Sequence, residues 1–197
     1  YYNKKKVLIT GHTGFKGSWL SLWLSYVGAK VYGISNNIPS NPSNFKAIGL
    51  RKKINHNIID IRNLEKLKKT ISRIKPDFIF SAPSLLPWWK LAPDGIDMPF
   101  AGYTALHLSL MQKFRNQIAE SGVNSIWIGA SFPDVINAML NRTGFGPDFG
   151  IGNVQEPIAK IQIGVGRELN CSPQNVEVKL VAQHAFEYFV LNDRKPD

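Results

Sequence analysis

Three glycines separated by two residues each are the first feature of the sequence that could do chemistry. They lie in Gly11-His12-Thr13-Gly14-Phe15-Lys16-Gly17, after the short apolar run 7–10 and before a segment rich in large apolar residues. Glycines between a strand and a helix permit a tight turn and let backbone N–H groups and the helix N-terminus hold a pyrophosphate. The segment predicts a dinucleotide-binding loop, and the alternative is a purely structural turn.

Polar residues at the ends of the next strands extend this predicted site. An acid after the second strand would bind the adenosine ribose, but Ser35-Asn36-Asn37 stands there. Asn36 is therefore the candidate ribose ligand, and because a nearby lysine or arginine could accept a 2′-phosphate, the predicted cofactor is NAD or NADP. Asp60 and Ile61 would contact adenine, with helix capping as the alternative role of Asp60. The predicted cofactor-binding residues are Gly11, His12, Thr13, Gly14, Phe15, Lys16, Gly17, Asn36, Asp60, Ile61 and Ser81.

Two residues outside this set are candidates for catalysis. His184 follows a predicted strand, and an imidazole titrates near neutral pH, as a proton-transfer group must. Its alternative role is structural. Ser84 would lie beside the nicotinamide, next to Ser81, and could hydrogen-bond the substrate. No metal site is predicted, since Cys171 is the single cysteine of the chain.

The periodicity of apolar residues predicts the elements that position these groups. Phe15, Trp19, Trp23 and Tyr26 recur at helical spacing, and Gly28 is a natural helix end. Strands are predicted at 7–10, 30–34, 57–61, 77–80, 125–128 and 176–180, and helices at 18–27, 64–74, 103–118, 131–141 and 154–169. Alternation of strand and helix predicts a doubly wound parallel sheet of the Rossmann type, an α/β fold in three layers. The proline-rich segment 81–101, with Trp88-Trp89, is predicted to be a loop over the site.

The charge of the chain is concentrated at one end. The 197 residues carry a formal charge of +10, but residues 1–80 hold 15 lysines and arginines against three acids. No nucleic-acid motif accompanies these charges, so we expect a solvated basic surface and no nucleic-acid partner. No uncharged apolar run reaches the length of a membrane span. We therefore expect a cytoplasmic protein, a homo-oligomer with a small-molecule substrate and no membrane partner.

The first 80 residues resemble a known family. The strings that carry the resemblance are Lys6-Val7-Leu8-Ile9-Thr10-Gly11-His12-Thr13-Gly14-Phe15-Lys16-Gly17-Ser18-Trp19-Leu20, Asn41-Pro42-Ser43-Asn44-Phe45, Asp60-Ile61-Arg62-Asn63 and Lys75-Pro76-Asp77-Phe78-Ile79-Phe80. Over residues 4–80 the chain is similar to CDP-glucose 4,6-dehydratases of the extended short-chain dehydrogenase/reductase superfamily. The resemblance implies tightly bound NAD, which oxidises the sugar at C4 before water leaves across C5–C6 and the hydride returns.

The resemblance ends near residue 81. Ser81-Ala82-Pro83-Ser84-Leu85 stands where the family has His-Leu-Ala-Ala-Gln, and no Tyr-x-x-x-Lys, the family's catalytic motif, follows residue 80. Tyr26 and Lys30 have that spacing, but they span the end of the first helix and the second strand. We therefore interpret residues 1–197 as one Rossmann-like NAD(P)-binding domain with a seam near 81 and a short or missing substrate domain.

Residues 125–190 resemble the lactate/malate dehydrogenase pattern more weakly, through Ser131-Phe132-Pro133-Asp134-Val135-Ile136 and the order of the elements that follow. In that family a histidine after the corresponding strand transfers the proton, which is the role implied for His184. Three functions follow as expectations. They are an NAD(P)-dependent enzyme acting on a nucleotide-sugar, a hydride-transferring dehydrogenase using His184, and a cofactor-binding protein without turnover.

Overall fold

Six parallel strands form the centre of the first of two units. The computed structural model describes residues 1–83, 100–131, 135–152, 155–181 and 190, and it divides into the units Tyr1–Gly150 and Ile151–Asp197. The strands are β1 (Lys6–Thr10), β2 (Lys30–Ser35), β3 (Asn55–Ile58), β4 (Phe78–Ser81), β5 (Ile126–Gly129) and β6 (Phe149–Gly150). Their order is β3-β2-β1-β4-β5-β6, and every adjacent pair is parallel. The predicted doubly wound α/β fold is confirmed.

Helices connect the strands. They are α1 (Phe15–Tyr26), α2 (Asn44–Ala47), α3 (Leu64–Ile74), α4 (Phe100–Ser121) and α5 (Val135–Arg142), with a 3₁₀ turn at Leu50–Lys52. The ends of α3 follow from local chemistry, since the Asn63 side chain accepts a hydrogen bond from the Lys66 N–H and Lys75 ends the helix in the left-handed region.

The core of the first unit has two layers, one on each face of the sheet. Successive side chains of a strand point to opposite faces, and accordingly Val7 and Ile9 belong to one cluster while Leu8 belongs to the other. The Leu8 cluster takes in apolar side chains of α3, α4 and α5, and the Val7 cluster takes in Leu24 of α1. Helices therefore cover both faces, as a parallel sheet requires.

Helix α1 faces the sheet with serine and leucine side chains. Ser18, Ser21 and Leu24 are buried, whereas the aromatic residues whose spacing predicts the helix are exposed. Ser18 Oγ donates to the carbonyl of Phe15 and Ser21 Oγ to that of Gly17, so both buried hydroxyls are satisfied within the helix. Large aromatic side chains therefore lie on the exposed face of α1, where an ordinary amphipathic surface helix carries polar residues.

The second unit contains one described helix, α6 (Gln155–Glu168), followed by a 3₁₀ turn at Pro173–Asn175. The chain folds back on α6, where the Cys171 N–H donates to the Gly166 carbonyl and Gln162 Nε2 donates to the Val176 carbonyl. The interpretation of the chain as one domain with a seam near residue 81 stays a prediction.

Several predicted elements differ from the structure. The predicted strand 176–180 is wrong, because these residues have no regular structure and no neighbouring strand pairs with them among the described residues. Their alternating pattern comes from half-buried apolar side chains between exposed charged ones. The third strand lies two residues earlier than predicted, while α2 and β6 are too short to produce a periodic signal. No helix in the described part of the chain is long and apolar enough to cross a membrane.

We expect Gly17→Ala to destabilise the protein, because an added Cβ would lie 2.3 Å from the backbone oxygen of Gly11. Overpacking of this kind costs about 1–3 kcal/mol. Gly164→Ala in α6 is the matched control, since nothing lies within 4 Å of its added Cβ. Urea unfolding of the two variants measures the difference, and equal midpoints for Gly17→Ala and the wild type would contradict the close packing described here.

Candidate functional site

A cleft opens at the carboxyl edge of the sheet, where the strand order reverses. β1 has β2 on one side and β4 on the other, so the connections that leave β1 and β4 run in opposite directions. Open α/β sheets bind their ligands at such a switch point. The cleft has a volume of about 460 Å³ and is lined by Gly11, Thr13, Gly14, Ser35, Asn36, Asn37, Pro39, Ile59, Asp60, Ile61, Arg62, Ala82, Pro83 and Leu110.

The glycine loop forms the wall of the cleft that follows β1. Gly11 has a φ of +72°, and its N–H donates to the Ile34 carbonyl of β2 at 2.8 Å. Its carbonyl accepts the Gly14 N–H at 3.0 Å, which closes the turn. Gly14 is the N-cap of α1 and offers no capping side chain, and α1 has no acid in its first turn. The positive end of the helix therefore faces the cleft with no carboxylate in its own first turn.

Thr13 ties the loop to the end of β2. Its Oγ1 donates to the Asn37 carbonyl at 2.6 Å, and its N–H donates to Ser35 Oγ at 3.3 Å. Asn36 and Asn37 lie between these contacts on the cleft wall, and the segment carries no carboxylate. The wall after β2 therefore offers neutral amide groups to a ligand.

Asp60 and Arg62 form the wall that follows β3, and they bind each other. Arg62 Nε donates to both carboxylate oxygens of Asp60 at 3.0 and 2.9 Å, and a terminal nitrogen donates to Oδ2 at 2.6 Å. These hydrogen bonds lower the pKa of Asp60 and raise that of Arg62. Asp60 is not the cap of α3, because Asn63 has that role. The capping alternative for Asp60 is therefore wrong.

A histidine pair, with His12 buried and His56 partly exposed, supports the loop from behind. The side chain of His12 is fully buried, with Nδ1 3.0 Å from Ser35 Oγ and Nε2 2.6 Å from Nδ1 of His56. The ring lies over Gly33, where an added Cβ would be 2.3 Å from it. Since the facing nitrogens of the two rings can share one proton, the pair is satisfied when both rings are neutral.

Burial lowers the pKa of His12 to about 4, against 6.5 for a free histidine; a hydrogen bond with the Ile34 backbone opposes this shift, and the charge of His56 adds to it. The pKa of His56 is lowered as well, by burial and by Arg51. His12 is not among the residues that line the cleft. His12 was predicted to bind the cofactor, but its ring lies behind the glycine loop and not on the cleft wall.

The other predicted cofactor residues divide into two groups. Gly11, Thr13, Gly14, Asn36, Asp60 and Ile61 line the cleft, and the remaining ones do not. Phe15 and Lys16 are exposed on α1, and Gly17 packs against Gly11. Ser81 is fully buried, and its Oγ accepts a hydrogen bond from Trp127 Nε1 at 2.7 Å. The predicted catalytic residues Ser84 and His184 lie outside the described residues.

Sequence reasoning missed several residues of the site. Pro39, Arg62, Ala82, Pro83 and Leu110 line the cleft although none was predicted to. Arg62 could have been predicted from the sequence, because it stands two residues after the predicted ligand Asp60. The contact between His12 and His56 could not be predicted from the sequence, because it depends on the β2–β3 register that sets His56 opposite Gly33.

Comparison with known proteins agrees with this geometry. Residues 8–85 match the GDP-mannose 4,6 dehydratase family. Over 80 residues the chain is 46% identical to a CDP-glucose 4,6-dehydratase of Salmonella typhimurium, an alignment that covers 41% of this chain and 22% of that protein. The chain thus spans about a fifth of this curated relative. The resemblance of residues 4–80 to this family is confirmed, and we call residues 8–85 the dehydratase-like segment.

Solved structures show the same fold at low sequence identity. UDP-glucose 4-epimerase from Brucella ovis, a complex with NAD, aligns with a TM-score of 0.56 at 15% identity over 74% of this chain and 50% of its own. A minor L-lactate dehydrogenase from Enterococcus mundtii aligns with a TM-score of 0.56 at 13% identity over 92% of this chain and 55% of its own. Both similarities support the Rossmann-like fold and nothing finer.

The histidine pair predicts that stability falls as the pH drops from 6.5 to 4. Between these values the unfolded chain binds a proton at position 12 that the folded chain does not, so protonation favours unfolding. The loss attributable to His12 is at most roughly 3 kcal/mol. Urea unfolding measured across this range should give a shallower pH slope for His12→Gln than for the wild type. Identical slopes would contradict the assignment of a neutral, buried His12.

Proposed function

We propose that the cleft at the switch point binds NAD(P). The observation that carries this proposal is the meeting of the uncapped α1 N-terminus with the ends of β2, β3 and β4 around one cleft, in a segment 46% identical to a dehydratase. The volume of about 460 Å³ lies within the range of cofactor sites. A backbone anion site at one end and amide groups at the other match a pyrophosphate joined to a ribose.

Each wall of the cleft has a role in this proposal. The Gly11–Gly14 backbone holds the pyrophosphate, and Phe15, Lys16 and Gly17, which do not line the cleft, form the first turn of the helix whose positive end faces it. Asn36 hydrogen-bonds the adenosine ribose, and Asp60 and Ile61 contact adenine. Ser81 is buried and has an indirect role in this proposal. Its hydrogen bond with Trp127 fixes the end of β4, and this sets the position of Ala82 and Pro83 beside the nicotinamide.

The pairing of Asp60 with Arg62 favours NAD over NADP. Arg62 is the cationic side chain among the described residues of the cleft wall, and its guanidinium is already held by three hydrogen bonds to Asp60. A 2′-phosphate would have to compete with that carboxylate. Although the segment lacks the acid that usually selects NAD, the arrangement gives a 2′-phosphate little to bind.

Binding of NADH tests the proposal, with Gly14→Glu as the disruptive variant and Gly164→Glu as the matched control in α6. A carboxylate at position 14 would stand where the pyrophosphate is held, and we expect NADH affinity to fall at least about tenfold by charge repulsion and obstruction. Fluorescence titration should show tighter binding of NADH than of NADPH by the wild type and by Gly164→Glu. Absence of binding of both nucleotides by the wild type would contradict the proposal.

For the activity, we propose a nucleotide-sugar reaction of the 4,6-dehydratase type, on the strength of the dehydratase-like segment. Bound NAD would supply the hydride acceptor, and the chain's own residues would orient it. Ser84 and His184 stay proposed as the groups that contact substrate and move a proton. The missing Tyr-x-x-x-Lys after residue 80 favours a second candidate, cofactor binding without turnover.

Turnover of CDP-glucose separates these candidates. Formation of the 4-keto product, followed by its absorbance in base, is the outcome expected of dehydratase-type activity. A protein that binds NADH but forms no product would instead support cofactor binding alone. Loss of hydride transfer to a 2-oxo acid in His184→Asn, with NADH affinity intact, would support the lactate dehydrogenase-like alternative.

A further inference from the structure

Helix α1 displays a continuous row of aromatic side chains on the surface of the first unit. Phe15, Trp19, Trp23 and Tyr26 are 70%, 49%, 70% and 75% exposed, and we call this row the α1 aromatic stripe. At 100° per residue the four positions fall within an arc of about 80°, and they extend along about 16 Å of the helix. Folded monomers seldom leave an aromatic row of this length in water.

The stripe is large enough to form most of a protein interface. If a fully exposed aromatic side chain offers about 200 Å², the exposed fractions of the four residues leave about 500 Å² in water. A stable interface buries about 800 Å² on each partner. Leu22 of α1 and Val27, the residue that caps the helix, are apolar and enlarge the apolar area.

The spacing of the stripe makes it complementary to itself. Its intervals of four, four and three residues are almost symmetric about Ser21. When a second copy of α1 lies antiparallel across it, Phe15 faces the partner's Tyr26 and Trp19 faces the partner's Trp23. A two-fold interface needs such a patch, since the same surface supplies both sides. Aromatic pairs also add attraction beyond the area that they bury.

We propose that the α1 aromatic stripe is a two-fold homodimer interface formed by antiparallel packing of α1 against α1 of a second copy. This inference does not depend on the proposed cofactor site. Packing of two helices through side chains at intervals of three and four residues is the ordinary mode of helix association. The inward face of α1 is formed by Ser18, Ser21 and Leu24, which leaves the four aromatic rings on the outward face.

The charges near the stripe set how the dimer responds to salt. Lys53 Nζ lies 5.7 Å from the ring centre of Tyr26, and no acidic residue precedes Asp60 in the chain. Two copies therefore bring like charges together around an apolar contact. Added salt screens that repulsion and strengthens apolar burial, so the dimer should tighten as the salt concentration rises. An acidic partner or an anionic membrane would show the opposite dependence.

Sedimentation equilibrium of the whole chain tests the proposal at about 0.05 M and about 0.5 M salt. We expect a concentration-dependent dimer whose dissociation constant is lower at the higher salt. Trp23→Gln should raise that constant at least about tenfold. Leu169→Gln is the matched control, because Leu169 is 68% exposed and lies outside the stripe. A monomer at both salt concentrations, or a dimer unaffected by Trp23→Gln, would overturn the proposal.

Cross-linking tests the geometry without removing an aromatic ring. Leu22 lies one residue from the proposed two-fold axis, so Leu22→Cys in a Cys171→Ser background should give a disulfide-linked dimer on addition of diamide. Glu65→Cys in the same background is the control, since Glu65 is exposed on α3, against the other face of the sheet. Equal cross-linking of the two variants, or none at position 22, would contradict the antiparallel pairing.

Discussion

The close approach of α1 to β1 is the contact on which the rest of the first unit depends. An added Cβ at Gly17 would lie 2.3 Å from the Gly11 carbonyl oxygen, so nothing larger than glycine fits there. The next positions that face inward are Ser18 and Ser21, whose hydroxyls bond back to the helix. This short distance places the start of α1 at the cleft. The inward positions beside the loop therefore carry small side chains, and the larger Leu24 packs against the sheet in the Val7 cluster.

Two features that look unrelated therefore have one physical cause. The glycine loop can offer bare N–H groups to a ligand because the backbone turns tightly into a helix held close to the strand. Because Gly17, Ser18 and Ser21 occupy the inward positions beside the loop, the aromatic residues of the same helix are exposed and form the α1 aromatic stripe. The histidine pair completes the arrangement, since His12 fills the space over Gly33 and supports Ser35.

Much of this could be predicted from the sequence, because the signals are local. The glycine loop, five of the six strands of the sheet and the longer helices follow from apolar periodicity and turn residues. The cleft residues Gly11 and Gly14 follow from the loop, and Asn36 and Asp60 follow from the ends of the predicted second and third strands. What failed depends on contacts between distant segments. The burial of Ser81 requires Trp127 of β5, and the place of His12 requires His56 of β3. The strand expected at 176–180 is wrong for a related reason. Its apolar and charged residues alternate as in a strand, but no described neighbouring strand pairs with it.

We propose that the switch-point cleft binds a dinucleotide through the glycine loop and the ends of β2 and β3. Titration of the ¹⁵N-labelled chain with NAD, followed by amide chemical shifts, tests it at the level of single residues. We expect saturable shifts at Gly11, Gly14, Asn36 and Ile61, and none at Gly164 in the second unit. Saturable shifts confined to residues away from this cleft, or an unchanged spectrum, would contradict it.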